Sequence, residues 1–402
     1  MNLTLFVTGF PTQDHPSRGI FNFRAAEGLC RQLNLTVIHV RLYRPGRHLI
    51  RTVDGYPWTH IELSLPLLPI IHRRRFQEYL TIIDWILGRG LGRLLCRSRL
   101  ENTNIFHSVG AAFSGPVCAD WARRWNAFHV MQLVGSDVNF ELPRLVRTHG
   151  GHRWMKWVDG IAANSRDLAA KYVVLDPNAP LIRTVYRGTD LAVFKPGKPI
   201  SEDRTVFLYL GGLPSYAPAM HGMNQKGGVT LMNAWRAFET DAAAARSVLI
   251  FAGPGARCPD AEHWYQSLRH PERVILRDAL KPDDIPGLMN EASIVVIPSM
   301  AEGLPNIGME ALACGRPLIG SRTGGIPELV VPEVTGWLFN PGDERDLARV
   351  MGVAASVDAH RLAVLGSAAR DRAAHLFDSE KYVPSLMNLY RDVMETERKC
   401  VE

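Results

Sequence analysis

The chain has 402 residues, of which 46% are apolar and 21% charged, and its formal net charge is +6. This length predicts two domains of roughly 200 residues each, and the composition is that of an ordinary globular protein. No uncharged apolar run reaches the roughly 18 residues of a membrane span, so we expect no membrane-spanning helix. The six cysteines form no C-x-x-C pair, which argues against a disulfide framework or a zinc site and favours a reducing, cytoplasmic compartment.

The two halves of the chain differ in charge. Residues 1–196 contain 25 Lys and Arg against 14 Asp and Glu, whereas the remaining residues contain 21 against 26. Basic residues are densest at 65–100, where Arg73–Arg99 are interspersed with aliphatic and aromatic side chains. Such a segment can lie in the headgroup plane of an anionic bilayer, and an amphipathic helix pair with a solvated arginine face is the alternative. No nucleic-acid motif accompanies it, so we expect no nucleic-acid partner.

The N-terminal residues predict a β-loop-α-β unit. Strand Leu3–Thr8 is followed by a loop that ends at Gly19, by a helix at Phe21–Leu33 and by strand Leu35–Val40. The short apolar stretch without a basic region predicts a first strand rather than a signal peptide. The loop has no G-x-G-x-x-G pattern, so Gly19 by itself predicts only a turn. Further elements of the first half are predicted as strands Ile105–Ser108, His129–Leu133 and Gly160–Asn164 and helix Ser114–Arg124.

Glycine-rich turns follow the predicted strands of the second half. Strands are predicted at Thr205–Leu210, Ser247–Ala252 and Val274–Leu276. They are followed by Gly211 and Gly212, by Gly253, and by Arg277, respectively. Helices are predicted at Val229–Phe238, which Lys226 precedes, and at Lys381–Glu397. A lysine at a helix start opposes the helix dipole. An anionic ligand therefore explains Lys226 better than chance does.

The most informative stretch is residues 298–340, which contains two glutamates eight positions apart. The apolar run Ala292–Pro298 predicts a strand buried on both faces, and a loop carrying Glu302 leads from it into a helix carrying Glu310. Main-chain N–H groups at such a helix start favour a diphosphate, here those of Gly303, Leu304, Asn306 and Ile307. Carboxylates beside that anion can accept hydroxyl protons of a sugar. The pattern indicates a sugar nucleotide, whereas two isolated glutamates would be an accident of the surface.

The same residues carry a family resemblance. Glu302-x7-Glu310 with Ala-Leu-Ala-Cys-Gly-x-Pro, then Gly-Gly-Ile-Pro-Glu and Thr-Gly-Trp-Leu, resembles the group 1 glycosyltransferases of retaining glycosyltransferase family 4. The resemblance implies an α/β GT-B fold, in which two Rossmann-like domains face each other across a cleft and a C-terminal helix crosses back to the first domain. Its domains would be an acceptor-binding domain at 1–190, joined by 380–402, and a donor-binding domain at 191–379.

The resemblance also implies roles for single residues. Glu302 would bind donor-sugar hydroxyls and Glu310 the ribose. Lys226 would bind the diphosphate and share the catalytic role with Glu302. The remaining donor-site residues implied are Gly19, Gly211, Gly212, Gly253, Arg277, Gly303, Leu304, Pro305, Asn306 and Ile307.

Two positions depart from the family pattern. Gly212 stands where the family often has an arginine aimed at the diphosphate, and His221 is a weak substitute. Val134 stands where the family often has a histidine near the reaction centre. Asp137 remains a catalytic candidate in that loop, with a helix N-cap as the alternative, and for Ser136 the N-cap is preferred.

The function implied is transfer of a sugar from a UDP- or GDP-sugar to a glycan or lipid-linked acceptor, with retention, in cell-surface polysaccharide biosynthesis. No D-x-D pattern lies in a suitable loop, so we expect no metal and no cofactor besides the donor substrate. The location implied is the cytoplasm or the cytoplasmic face of the inner membrane. Three alternatives stay open: a degenerate sugar-nucleotide-binding protein, a GT-B epimerase, and a glycoside hydrolase with Glu302 and Glu310 as its acid and nucleophile.

Overall fold

The computed structural model describes residues 1–12, 18–42, 50–65, 100–111, 113–149, 151–213 and 224–396. The chain divides into two compact units. The first comprises Met1–Val185 and Tyr382–Glu402, and the second comprises Tyr186–Lys381. Within the described ranges no helix is long and apolar enough to cross a bilayer.

The first unit contains an eight-stranded sheet. Its strands are β1 (Asn2–Val7), β2 (Asn34–Leu42), β3 (Ile50–Val53), β4 (Thr59–Leu65), β5 (Ile105–Val109), β6 (Phe128–Leu133), β7 (Gly160–Ala163) and β8 (Leu181–Thr184). They lie in the order β3-β4-β2-β1-β5-β6-β7-β8, and every pair is parallel except β3 with β4. Its helices are α1 (Ile20–Cys30), α2 (Ser114–Arg124), α3 (Leu142–His149), α4 (Arg166–Leu175) and the C-terminal helix (Tyr382–Glu395).

Alternation along β1 explains why helices cover both faces of this sheet. Leu5 belongs to a core with α1 and the C-terminal helix, and Phe6 to a core with α2. A buried hydrogen bond holds the C-terminal helix against this sheet, in which the Gln132 amide donates to the Tyr382 hydroxyl at 2.8 Å. The expected return of this helix to the first domain is confirmed.

The second unit contains a six-stranded, all-parallel sheet. Its strands are β9 (Thr205–Leu210), β10 (Ser247–Ala252), β11 (Val274–Arg277), β12 (Ile294–Ile297), β13 (Leu318–Ser321) and β14 (Gly336–Phe339), in the order β11-β10-β9-β12-β13-β14. Its helices are α5 (Gly228–Phe238), α6 (Pro259–Gln266), α7 (Ile285–Glu291), α8 (Asn306–Ala313), α9 (Ile326–Leu329), α10 (Glu344–Ala355) and α11 (Ala359–Leu376).

The direction of strand succession reverses between β9 and β12. From β9 the chain proceeds outward through β10 to β11, and then returns to β12 on the other side of β9. In open α/β sheets, ligands bind outside the carboxyl ends of the strands at such a reversal. A ligand is therefore expected to bind at the segments that follow β9 and β12.

Most predicted elements are present, with shifted ends. Helix Ser114–Arg124 and strands Thr205–Leu210 and Ser247–Ala252 are confirmed with their predicted bounds. The first helix ends at Cys30 rather than Leu33, because the N–H groups of Gln32 and Leu33 both bond to the Leu29 carbonyl and turn the chain into β2. The last helix begins one residue later than expected, after a 3-10 turn at Ser379–Lys381.

Candidate functional site

Two loops of the second unit meet where β9 and β12 end, and we call this region the β9/β12 mouth. One loop runs into α5 and carries Lys226, and the other leaves β12 and carries Glu302. The main-chain N–H of Met300 donates to the Gln225 carbonyl at 2.8 Å and joins the two loops. The mouth is therefore formed by main-chain as well as side-chain contacts.

Lys226 and Glu302 form an ion pair in the β9/β12 mouth. The Lys226 ammonium lies 2.7 Å from Oε1 of Glu302, and the Ser299 hydroxyl donates to the same oxygen at 2.9 Å. The Glu302 side chain is only 10% exposed, whereas that of Lys226 is 52% exposed. The carboxylate is thus held in place, while the ammonium group faces solvent and is accessible to an anion.

Glycines allow the backbone to close around the Glu302 loop. Gly227, with φ of 72°, precedes α5 and packs against the carbonyl of Pro298. Gly324, with φ of 55°, packs against the carbonyl of Glu302, and the Gly325 N–H donates to the Gly303 carbonyl at 2.8 Å. A Cβ at Gly324 would lie 2.2 Å from that carbonyl oxygen, so the position requires glycine. These contacts fix the direction in which the Glu302 loop leaves β12.

Helix α8 begins directly after the Glu302 loop. Pro305 occupies its N-cap position, and the proline side chain makes no capping hydrogen bond. The first-turn N–H groups of Asn306 and Ile307 therefore lie at the mouth, while the Gly308 N–H bonds to the Pro305 carbonyl. Glu310 lies half-buried on the same helix, where its charge contributes to raising the pKa of Cys314 to about 11, after the larger effect of burial.

The glycines after β9 and β10 pack on one another and on Tyr209. The Tyr209 hydroxyl donates to the Gly212 carbonyl at 3.1 Å, and a Cβ at Gly253 would stand 2.4 Å from the Gly211 carbonyl oxygen. Burial and, to a smaller extent, the charge of Glu302 raise the pKa of Tyr209, so its hydroxyl stays protonated. Tyr209 was not singled out in the sequence, where an aromatic residue in a strand predicts only core packing.

Arg277 lies at the end of β11. Its guanidinium donates to Glu291 of α7 at 2.9 Å, and its carbonyl accepts the Gly253 N–H at 3.0 Å. Its main chain thus supports the glycine turns of the mouth. The expected contact between its side chain and a nucleotide stays a prediction.

The candidates of the first unit have mainly main-chain contacts. Gly19, with φ of 68°, packs on Gly9, where a Cβ would lie 2.3 Å from the carbonyl oxygen. The Asp137 carboxylate is buried and accepts N–H groups of Ala111, Val134, Gly135 and Val138 at 2.7–3.2 Å. Asp137 therefore acts on the backbone in the manner of the N-cap alternative, whereas Ser136 makes no capping hydrogen bond.

Two sets of predicted residues lie outside the described ranges. These are Arg73–Arg99, proposed for the membrane surface, and His221, considered as a substitute for the missing arginine.

Known protein families and structures resemble this chain, and the family match lies within the second unit. Residues 206–354 match the family model described as glycosyl transferases group 1. The chain is 24% identical to N-acetyl-alpha-D-glucosaminyl L-malate synthase of Bacillus anthracis over 316 residues, which cover 74% of this chain and 77% of that protein.

Two further relatives differ in how much of the chain they cover. A putative colanic acid biosynthesis glycosyltransferase, WcaL of Escherichia coli, is 31% identical over 116 residues, 27% of this chain and 29% of its own. The structure of Anabaena HepE in complex with UDP-glucose superposes with a TM-score of 0.67 at 16% identity, covering 98% of this chain and all of that one. Two Rossmann-like units of this kind are the GT-B architecture. Residues 206–354 are thus similar to the group 1 glycosyltransferases, and the chain has the GT-B fold.

Proposed function

We propose that this glycosyltransferase moves a sugar from a nucleotide-sugar donor to a glycan or lipid-linked acceptor, with retention of anomeric configuration. The observation that carries the proposal is the Lys226–Glu302 pair at the β9/β12 mouth, beside the start of α8, where the N-cap residue is a proline. These groups provide a cation, main-chain donors and a fixed carboxylate in one place, which are the groups that a diphosphate and an adjacent sugar need.

When the donor binds, Lys226 can exchange Glu302 for the diphosphate as its ion-pair partner. A diphosphate carries more negative charge than one carboxylate, so the solvent-facing ammonium group of Lys226 can turn from Glu302 towards it. Glu302 keeps the Ser299 hydroxyl and gains the sugar hydroxyls as donors. Glu310, in the second turn of α8, would bind the ribose.

In the proposed mechanism the protein stabilises the leaving group and supplies no covalent nucleophile. The acceptor hydroxyl attacks the anomeric carbon as the bond to the diphosphate breaks, and the leaving diphosphate takes the hydroxyl proton on the same face. Lys226 and the N–H groups at the start of α8 stabilise the charge that develops on the diphosphate. This scheme uses no metal and no cofactor beyond the donor.

Two similar proteins support the proposed donor class and biological role. The name of the relative WcaL connects this sequence type to colanic acid biosynthesis, which supports a role in cell-surface polysaccharide assembly. The HepE structure with UDP-glucose supports a UDP-sugar donor, with a GDP-sugar as the other candidate. Contact of Arg73–Arg99 with an anionic membrane, at its cytoplasmic face, remains part of the proposal.

A thermal-shift panel of UDP-, GDP- and ADP-sugars tests the donor site. We expect one nucleotide class to stabilise the protein and Glu310→Ala to weaken that response, whereas Glu272→Ala, an exposed glutamate of the same unit, leaves it unchanged. Absence of any shift would refute the donor-site assignment.

Product analysis then separates the alternatives. A degenerate binder shows the shift without donor turnover, and an epimerase converts the donor without an acceptor. A hydrolase cleaves glycosides that carry no nucleotide. Retention is read from the anomeric configuration of the product by NMR.

A further inference from the structure

Two histidines and a glutamate lie side by side on the sheet of the first unit. Strands β2 and β4 are parallel neighbours, and their register places His39 opposite Glu62. His60 precedes Glu62 by two residues on β4, so its side chain lies on the same face of the sheet. One nitrogen or oxygen atom from each of the three lies within 4.8 Å of the other two.

The group is buried and incompletely hydrogen-bonded. His39, His60 and Glu62 are 4%, 1% and 9% exposed. Nδ1 of His39 has no hydrogen-bond partner among the described residues and stands 4.0 Å from Oε1 of Glu62. That gap is too long for a hydrogen bond, and a shift of about 0.6 Å would bring the two atoms to the separation of about 3.4 Å that ligand atoms have in a tetrahedral site with bonds of about 2.0–2.2 Å.

Burial of the imidazoles and a hydrogen bond from Arg51 to Glu62 favour metal binding by these three side chains. Burial disfavours the charged form of both imidazoles, and the neutral imidazole is the form that binds metals. Arg51 donates to Oε2 of Glu62 at 2.7 Å and leaves Oε1 directed towards the imidazoles. Such hydrogen bonds to the second carboxylate oxygen are usual around metal ligands.

Two neighbours compete with an ion for these ligands. The Arg41 guanidinium lies 3.7 Å from Oε1 of Glu62, but its side chain is partly exposed and can turn to solvent. The Trp58 indole N–H lies 3.4 Å from Nδ1 of His60, longer than a normal N–H hydrogen bond. Neither contact is strong enough to replace a metal–ligand bond.

We propose that His39, His60 and Glu62 bind one transition-metal ion of the Zn²⁺ class, with a water molecule as fourth ligand. Two imidazoles and one carboxylate suit Zn²⁺, and also Co²⁺ as a probe, better than they suit Mg²⁺ or Ca²⁺. In register His39 adjoins Val7, the last residue of β1, and the Phe10 ring contacts both imidazoles. The ion would therefore join β2 to β4 beneath the start of the loop that leads to Gly19, in addition to the metal-free transfer proposed for the second unit.

Metal content and Co²⁺ spectroscopy of the full-length, tag-free protein test this proposal. Protein treated with a chelator is incubated with Zn²⁺ or Co²⁺, passed through gel filtration and analysed by mass spectrometry for bound metal. We expect one ion per chain and, for Co²⁺, the visible absorption of a four-coordinate site. Glu62→Gln preserves the shape of the side chain and should weaken binding by at least about 10-fold.

His360→Gln provides the matched control, because His360 is an exposed histidine of α11 in the second unit. It should retain the ion and the spectrum. The proposal is overturned if the wild-type protein retains no stoichiometric ion, or if His360→Gln lowers binding as much as Glu62→Gln. If Glu62→Gln fails to fold, His39→Gln and the wild-type Co²⁺ spectrum decide the question.

Discussion

The backbone of Gly227 lies so close to that of Pro298 that a Cβ on Gly227 would stand 1.7 Å from the Pro298 carbonyl oxygen. This contact brings the start of α5 against the end of β12. It thereby places Lys226, the preceding residue, beside the Glu302 loop. The ion pair of the β9/β12 mouth therefore depends on a glycine at position 227.

Gly227→Ala should destabilise the protein severely. The substitution places a Cβ inside a main-chain carbonyl and adds the cost of a left-handed φ of 72°, together more than about 3 kcal/mol of unfolding free energy. Urea unfolding measures it. Gly287→Ala in α7 is the control, because no atom lies within 4 Å of its Cβ position, and it should stabilise by about 0.5–1 kcal/mol. Equal effects of the two substitutions would contradict the packing argument.

Lys226→Met should abolish most transfer while leaving stability nearly unchanged. A partly exposed ion pair contributes at most about 1 kcal/mol to folding, whereas loss of a charge that stabilises the leaving group costs about 100- to 1,000-fold in kcat. Steady-state kinetics and a thermal melt provide the two measurements. Lys171→Met removes a comparable Lys–Asp pair from α4 and should retain activity. Full activity of Lys226→Met would remove this residue from the mechanism.

Tyr209→Phe should weaken donor binding. It removes the hydrogen bond to the Gly212 carbonyl, worth about 1 kcal/mol, and frees the turn that follows β9. We expect the KM for the donor to rise more than kcat falls, because Tyr209 positions the turn and has no other role in the scheme. Tyr265→Phe, on a half-buried tyrosine of α6, serves as the comparison. A fall in kcat at constant KM would argue for direct participation of the hydroxyl.

His129 should make stability fall as the pH drops below 6.5. Burial, with a smaller effect of His107, lowers the pKa of His129 to about 3, so it is neutral in the folded protein, whereas the unfolded chain binds a proton below pH 6.5. Because the unfolded state then holds more protons, this residue reduces the unfolding free energy by about 1.4 kcal/mol per pH unit between pH 6.5 and the folded pKa.

His129→Gln tests that slope, since its amide can still reach the Ser108 hydroxyl that lies 2.9 Å from Nε2 of His129. Urea titrations at pH 7, 6 and 5 should show a shallower pH dependence for this variant. The exposed His360→Gln should keep the wild-type slope. Parallel slopes for all three proteins would mean that His129 is already protonated in the native state.

Long apolar elements were predictable from local pattern. Strand Thr205–Leu210 and helix Ser114–Arg124 appear with their expected bounds, because a run or period of buried side chains is a property of neighbouring residues. The four-residue strands β13 and β14 were not predicted, although β7 and β11, which are equally short, were.

The sequence by itself indicated the ligand chemistry that is proposed for the second unit. A lysine at a helix start and two glutamates around a loop-to-helix junction indicated an anion with hydroxyl groups, because charge and hydrogen-bonding capacity belong to the residue types. Only the tertiary structure decided that Lys226 lies 2.7 Å from Glu302, that Asp137 is held by main-chain N–H groups, and that His39 faces Glu62. Lys226 and Glu302 are 76 residues apart, and register places His39 opposite Glu62. Asp137 accepts N–H groups of its own loop and of Ala111, which is 26 residues away.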